Sequence, residues 1–162
     1  MADGEAMDPR LKPVREQDGV VLMPDRWQID FWASCGELSR FYTELKENAR
    51  FMGTRCPACG SVYFWPRSWC HECYVDCDWI EVSTRGRLTL FCRVEISPSD
   101  LRRDVPFYQG GVHLEGVRYP IAAILGAPDH DAFRVGMPMR AQFVPPKERR
   151  GTPRDFHFVP DQ

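Results

Sequence analysis

Four cysteines in two CxxC pairs are the residues of this sequence best suited to bind a metal ion. They occur in the segments CPACG and WCHEC, and ten residues separate the two pairs. Thiolates are soft ligands that favour Zn²⁺, and each CxxC turn brings two sulfur atoms together. Two such turns can close on one tetrahedral ion. The spacing therefore predicts a single structural zinc bound by Cys56, Cys59, Cys70 and Cys73.

The same cysteine spacing is also compatible with three alternatives to a structural zinc site. Two disulfides, a four-thiolate iron site in an electron carrier, and a redox-active CxxC would each use such a spacing. The sequence has seven cysteines, so a metal site would leave Cys35, Cys77 and Cys92 as thiols, a number that suits a reducing compartment. His71 and Cys77 are close enough in sequence to replace one of the four ligands.

The composition favours short strands and loops over long helices. The 162 residues are 43% hydrophobic and include fourteen Pro and twelve Gly, which predicts a mainly β protein with a small metal-stabilised module. No apolar run approaches the roughly eighteen residues of a membrane span. Residues 1–18 are charged and lack the hydrophobic stretch of a signal peptide. We expect a cytoplasmic protein that does not enter a membrane.

Residues 1–50 are predicted to form an arm followed by two short helices. Residues 1–24 combine prolines with mixed charge and no periodicity, which indicates an extended arm that docks on a partner. Within residues 25–50 the apolar positions recur at helical spacing, and Ser34 and Glu37 stand at the spacing of a capping box. Helices this short need another surface to cover their apolar side. The apolar positions are Trp27, Phe31, Leu38, Phe41, Tyr42 and Leu45.

Residues 51–77 are predicted to form a zinc ribbon and residues 78–162 a β-barrel. After Cys77 the apolar and polar residues alternate, which is the period of a β-strand, and Gly86 precedes them as a bulge or turn position. The alternation predicts that Cys92 is buried with its neighbours on one strand face, namely Leu88, Leu90, Val94 and Ile96. The aromatic residues expected to cover the ribbon are Tyr63, Phe64, Trp65 and Trp69.

Four further strands are predicted by runs of β-forming residues between turn signals. They are expected at residues 107–115, 118–125, 137–144 and 156–159, with Gly110-Gly111 among the turn signals. Five short strands without a long helix between them suit a closed barrel, because closure removes exposed edges. An OB-fold is the first interpretation. An SH3-like barrel and a two-layer sandwich are the alternatives.

The charge and the motifs of the sequence limit the classes of function that it can have. The net charge of −2 supplies no global field for a polyanion, although local arginine clusters keep a nucleic-acid-binding module as an alternative. A Cys/His nucleophile is disfavoured because Cys92 is predicted to be buried. The sequence has no phosphate-binding glycine loop and no HExxH helix. We expect a zinc-stabilised binding module without catalytic residues, and a free-standing electron carrier is the remaining alternative.

Several motifs resemble the acyl-CoA-associated zinc-ribbon/OB-fold family, which is known as domain of unknown function thirty-five. They are the run FYTELKENARFMGTRCPACG, the segment WPRSWCHEC and the barrel opening GRLTLF, in the order helix, ribbon, barrel. The resemblance covers roughly residues 38–159, and the CxxC pairs, Pro66-Arg67 and Gly86 are its most specific parts. Two positions depart from the family pattern, because Trp65 replaces a second proline and Thr89 replaces a frequent serine.

The resemblance implies a rubredoxin-like zinc ribbon followed by a five-stranded OB-fold, in an accessory subunit of a thiolase-type enzyme. A thiolase-like partner would supply the catalytic residues in a hetero-oligomer, with acyl-CoA near the interface. One such setting is the aryl-substituted ketoacyl-CoA (benzoylsuccinyl-CoA) thiolase of aromatic degradation. The segment from Ser97 to Gly111 would then contact acyl-CoA or the partner through Arg102, Arg103, Phe107 and Tyr108.

Overall fold

A two-stranded hairpin is the first described part of the chain. The computed structural model describes residues 14–23, 31–96, 105–126 and 129–161. Strands β1 (Arg15–Gln17) and β2 (Val20–Leu22) are antiparallel, and every residue in them is exposed. They join through Asp18 and Gly19, whose φ angles of 52° and 76° suit a tight hairpin turn. The rest of the predicted arm lies outside the described residues.

This hairpin belongs to a unit of residues 1–34, and all the following elements belong to a second unit, residues 35–162. The second unit begins with one α-helix, which is the second of the two helices predicted within residues 25–50. A 3₁₀ turn (Gly36–Leu38) leads into α1 (Ser39–Asn48), which buries Phe41 and Leu45. None of the described helices is long and apolar enough to cross a membrane.

The other predicted helix is not observed within the described residues. Residues 25–30, including Trp27, lie outside them, and residues 31–35 are not helical. Phe31 is 76% exposed. The helix prediction is wrong for residues 31–35 and stays a prediction for residues 25–30. A helix of this length is unstable when its apolar side is not covered.

The zinc ribbon is built on a three-stranded antiparallel sheet. In chain order its strands are β3 (Phe51–Arg55), β4 (Val62–Tyr63) and β5 (Asp78–Val82), and β3 is central. The first CxxC pair connects β3 to β4, and the second lies between β4 and β5. Gly53 allows the strands to approach closely, because a side chain there would meet the carbonyl oxygen of Tyr63 and the Val82 side chain.

Five strands close into an OB-like barrel, which confirms the predicted fold class. In chain order they are β6 (Arg85–Val94), β7 (Phe107–Leu114), β8 (Ile121–Leu125), β9 (Pro138–Phe143) and β10 (Phe156–Pro160). Their spatial order is β10-β8-β7-β6-β9, and β10 also pairs with β9 to close the barrel. The β10–β8 pair is parallel and the other pairs are antiparallel.

Cys92 is exposed, so the prediction that it is buried is wrong. The register of β6 against β7 shifts between Leu88 and Leu90, which makes Thr89 the extra residue of a β-bulge. The extra residue moves the following side chains to the opposite face of the strand. Leu88 is therefore buried, whereas Leu90 is 60% exposed. Gly86, the predicted bulge or turn position, lies in regular pairing.

One hydrophobic core joins the ribbon sheet to the barrel. The Phe51 ring of β3 lies 5.0 Å from that of Phe64, and 5.1 and 4.8 Å from the rings of Phe143 and Phe156 on the barrel. The contacts with Phe64 and Phe156 are edge-to-face and that with Phe143 is tilted, and such ring contacts add to the stabilisation from burial. Helix α1 contributes Phe41 to the same core. The ribbon sheet, the helix and the barrel therefore depend on one another for their apolar cover.

Candidate metal centre

The first CxxC pair forms a compact turn. The Cys56 N–H donates to the Ser61 carbonyl and the Gly60 N–H donates to the Cys56 carbonyl, each at 2.9 Å. Gly60 closes the turn with a φ of 73°, a conformation that glycine adopts without strain. The Cys59 N–H points at the Cys56 sulfur at 3.5 Å. An amide in this position stabilises a negatively charged thiolate.

The second CxxC pair repeats the same turn. The Cys70 N–H donates to the Val75 carbonyl and the Tyr74 N–H donates to the Cys70 carbonyl, each at 2.8 Å. Tyr74 occupies the position that Gly60 has in the first turn, and its φ is 56°. The two turns therefore share one backbone geometry although their sequences differ.

The four sulfur atoms converge as a tetrahedral zinc site requires. Those of Cys56, Cys59, Cys70 and Cys73 all lie within 4.8 Å of one another, and the Cys59 and Cys70 sulfurs are 3.9 Å apart. Zn–S bonds of about 2.3 Å place tetrahedral sulfur atoms roughly 3.8 Å apart. Cys56 and Cys70 are fully buried. The predicted ligand set thus fits one structural zinc.

Neighbouring groups shift the pKa values of two of these thiols in opposite directions. The Tyr63 hydroxyl lies 3.3 Å from the Cys70 sulfur, and its hydrogen bond lowers the pKa of Cys70 to about 6. The hydrogen bond with Cys59, together with burial, raises the pKa of Cys73 to about 12. Thiols this crowded do not all ionise unless a cation neutralises them. A divalent ion supplies that charge, so the donor chemistry also fits Zn²⁺.

His71 and Cys77 are not ligands in this arrangement. Within the described residues, the single group of three or more converging His, Cys, Asp or Glu side chains is the set of four cysteines. His71 Nδ1 lies 3.4 Å from the Tyr63 hydroxyl. Cys77 is half-buried beside the cluster, and burial raises the pKa of its thiol. A site closed by four thiolates leaves no position for water or substrate, so the metal stabilises the fold.

Two of the four residues predicted to contact acyl-CoA or a partner lie within the described part of the chain. Arg102 and Arg103 lie outside the described residues. Phe107 and Tyr108 are consecutive in β7, so their side chains point to opposite faces of the strand. Tyr108 packs against Phe133 with the ring centroids 5.3 Å apart. Phe107 lines a surface cleft.

This cleft lies between the barrel and the ribbon and has a volume of about 220 Å³. Sequence reasoning did not find it, because its walls come from residues far apart in the chain. Trp65 is part of the wall, and it is also a position where the sequence departs from the family pattern. The aromatic run between the two cysteine pairs was the available signal. The lining residues are Trp65, Phe107, Gln109, Ala122, Ala123, Ile124, Pro153, Arg154 and Phe156.

The strand register separates Cys92 from His113 on the neighbouring strand. Cys92 is opposite Gln109 on β7, which is four residues from His113 and therefore about 13 Å away along the strand. His113 Nε2 lies 2.7 Å from the Val117 carbonyl oxygen. The geometry does not support a Cys92–His113 nucleophile pair.

Two family models match the chain one after the other. The ChsH2 rubredoxin-like zinc ribbon domain matches residues 44–78, and the ChsH2 C-terminal OB-fold domain matches residues 79–144. Together they span more than half of the 162 residues, in the order that the structure shows. The chain belongs to the ChsH2-type DUF35 family. The family resemblance indicated by the sequence motifs is thereby confirmed.

Other members of the DUF35 family resemble this chain over most of its length. A DUF35 domain-containing scaffold protein of Methanocaldococcus jannaschii is 28% identical over 111 residues, which are 67% of this chain and 78% of the relative. The solved Ltp2-ChsH2(DUF35) aldolase has a TM-score of 0.60 at 20% identity, over 80% of this chain and 98% of that chain. A DUF35 protein of unknown function from Sulfolobus solfataricus has a TM-score of 0.55 at 15% identity, over 78% and 87% of the two chains.

Proposed function

We propose that this chain is a non-catalytic subunit of a thiolase-type acyl-CoA enzyme complex. Its membership of the ChsH2-type family carries the proposal. The curated relative is named a scaffold protein, and the solved neighbour has a two-component name, the Ltp2-ChsH2 aldolase. A scaffold role agrees with a zinc site that four thiolates close completely. The partner would supply the nucleophile and the acid/base groups, in the cytoplasm.

The cleft lined by Trp65 and Phe107 is the part of the chain that we assign to the acyl-CoA side of the complex. Its walls are mainly apolar, and Arg154 and Gln109 add polar groups. Binding sites for small molecules combine these features. An acyl group with an aryl substituent would pack against the two aromatic rings, which supports a role in the degradation of aromatic compounds. We propose that Arg102 and Arg103 contact the same ligand or the partner.

The first experiment is mild affinity purification of the tagged chain from its native host. Mass spectrometry and zinc determination are carried out on the same sample. We expect a stoichiometric thiolase-type subunit and one equivalent of zinc for each copy of this chain. Recovery of the chain alone, with nucleic acid, or with an iron chromophore would contradict the proposal. An aldolase-type partner would retain the accessory role and reject the thiolase assignment.

Kinetics of the purified complex test the assignment of the cleft. We expect Phe107→Ala, and separately the double variant with Arg102→Ala and Arg103→Ala, to raise KM for acyl-CoA. The matched control is Val135→Ala, because Val135 is 65% exposed and is not among the cleft residues. An unchanged KM in both test variants would show that neither the cleft nor the two arginines contact the substrate. The subunit role would then be tested by the copurification alone.

A further inference from the structure

The two zinc turns share a backbone and differ in chemistry at the corresponding positions outside the cysteines. The first turn carries a charged, a flexible and a small polar residue at three positions, and the second turn carries large apolar or aromatic residues there. The corresponding pairs are Arg55 and Trp69, Gly60 and Tyr74, and Ser61 and Val75. The first turn shows that binding the metal does not require large side chains at these positions.

Tyr74 is the most informative of these residues. Its φ of 56° is in the left-handed region, which strains a residue with a β-carbon and favours glycine. Glycine fills the same position in the first turn, where φ is 73°. A strained residue that the local fold does not need indicates that the side chain itself has a role. The Tyr74 ring is 79% exposed, so this role is not burial within the chain.

Tyr74 and Trp69 form one exposed aromatic surface. Their ring planes are nearly parallel, at 17°, and the centroids are 5.9 Å apart. Trp69 is 51% exposed, and Val75 beside them is 36% exposed. Tryptophan and tyrosine are the residue types most enriched at the energetic centres of protein interfaces, since they combine a large apolar area with a hydrogen-bond donor. We call Trp69, Tyr74 and Val75 the second-turn patch.

The charge around the second-turn patch indicates the chemistry of its partner. Residues 68–78 include Glu72, Asp76 and Asp78 and no lysine or arginine. Arg118 of the barrel pairs with Glu72, so Asp76 and Asp78 are the carboxylates that leave this segment negatively charged. Four thiolates on one Zn²⁺ add a further net charge of about −2. Arg67, the cation just before this segment, lies over the Tyr63 ring at 5.4 Å. A complementary surface is therefore apolar at its centre and carries lysine or arginine at its rim.

We propose that the second-turn patch is the docking site for the catalytic partner, and that it inserts into an apolar pocket with a basic rim on that protein. This inference rests on the proposed function, because it requires an enzyme subunit as the partner. The inference goes beyond the proposed function because it names the docking surface, the residues that form it and the charge of the partner's matching surface. The first zinc turn then serves the metal and the fold, whereas the second also serves the interface.

Affinity measurements with full-length variants test the docking site. The probe is the catalytic subunit that copurifies with the wild-type chain, measured by titration calorimetry. Tyr74→Gly and Trp69→Arg each give the second turn a residue type that the first turn carries, so the fold and the zinc content should be retained. We expect each variant to weaken binding at least about tenfold. Val135→Ala, at a surface position that is 65% exposed, should bind like the wild type.

The outcomes separate this inference from the proposed function. If Tyr74→Gly and Trp69→Arg bind the partner as tightly as the wild type, the docking site is wrong and the accessory role stands. If the wild-type chain binds no enzyme subunit, both proposals fail. We also expect Asp76→Asn and added NaCl to slow association with the partner, and an association rate insensitive to both would contradict the basic rim.

Discussion

Arg118 of the barrel binds Glu72 of the second zinc turn through both of its terminal nitrogens, at 2.7 and 2.6 Å. Arg118 also donates to the Ser61 hydroxyl of the first turn at 2.6 Å, and its backbone N–H donates to the Val62 carbonyl at 2.9 Å. The carboxylate raises the pKa of the guanidinium. One residue from the connection between β7 and β8 therefore contacts both turns of the metal site.

Removal of this contact should loosen the zinc turns while the barrel stays intact. We expect Arg118→Gln to increase amide hydrogen exchange a few-fold at Gly60 and Tyr74, because both turns lose a fixed neighbour. Glu72→Gln should affect the second turn more than the first. The double variant should resemble Arg118→Gln, since the two residues act as a pair. Exchange rates equal to wild type in Arg118→Gln would show that the ion pair does not hold the turns.

Loss of one metal ligand should unfold the ribbon. Cys70 is fully buried, and a serine there supplies a weaker ligand for Zn²⁺. We expect Cys70→Ser to be insoluble or free of zinc, measured by metal analysis and circular dichroism. Cys92→Ser is the matched control, because Cys92 is an exposed thiol outside the metal site. A folded, zinc-free Cys70→Ser protein that binds its partner and lacks turnover would instead assign a chemical role to the metal.

The shared aromatic core should make the ribbon and the barrel unfold together. Phe51 is fully buried between the ribbon sheet and the barrel. We expect Phe51→Ala to lower the free energy of unfolding by about 3–5 kcal/mol, measured by urea denaturation. Leu90→Ala should cost less than about 0.5 kcal/mol, because Leu90 is 60% exposed. Two separate transitions in the wild-type protein would show that the core does not couple the two parts.

Glu44 should make stability depend on pH in mildly acidic solution. Arg50 donates to both carboxylate oxygens at 2.7 and 2.9 Å, and Asn48 donates at 2.6 Å. These hydrogen bonds, led by Arg50, lower the pKa of Glu44 from 4.5 to about 2. Because the pKa is lower in the folded state, the stabilisation is present above about pH 4.5 and is lost as the pH falls toward 2.

Urea denaturation of the wild type and Glu44→Gln between about pH 5 and pH 3 tests this dependence. We expect the stability difference between the two proteins to shrink as the pH falls. Comparing the two at each pH cancels the acid sensitivity of the zinc site, which both proteins share. Glu47→Gln, on the exposed side of the same helix, is the control. A stability difference that stays constant across this range would contradict the assignment.

Local sequence signals were sufficient for the metal site and the barrel strands. The four cysteines lie in two short turns, so their spacing determines which sulfur atoms can meet. Alternating residues in β6 and glycine or proline between runs identified the five strands of the barrel. These features depend on residues close together in the chain, where period and turn chemistry are informative.

Features that depend on distant residues were not predictable. The Arg118–Glu72 pair joins residues 46 positions apart, and no local pattern indicates it. Gly110-Gly111 was predicted to be a turn, yet both residues lie inside β7. A side chain at Gly110 would meet the Leu90 backbone carbonyl at 2.6 Å, so glycine is needed there for close strand approach. A glycine pair gives the same sequence signal for a turn and for a crowded strand.

The bulge at Thr89 also has a consequence for the behaviour of the protein in concentrated solution. Before it, Gly86 and Arg87 of β6 pair with both β7 and β9, and after it β6 pairs with β7. The extra residue lies where β6 stops pairing with β9. A bulge bends its strand, and this bend helps the five strands to close into a barrel. An open sheet would leave two unpaired edges able to recruit strands from other molecules. A single inserted residue therefore helps to protect this chain against aggregation.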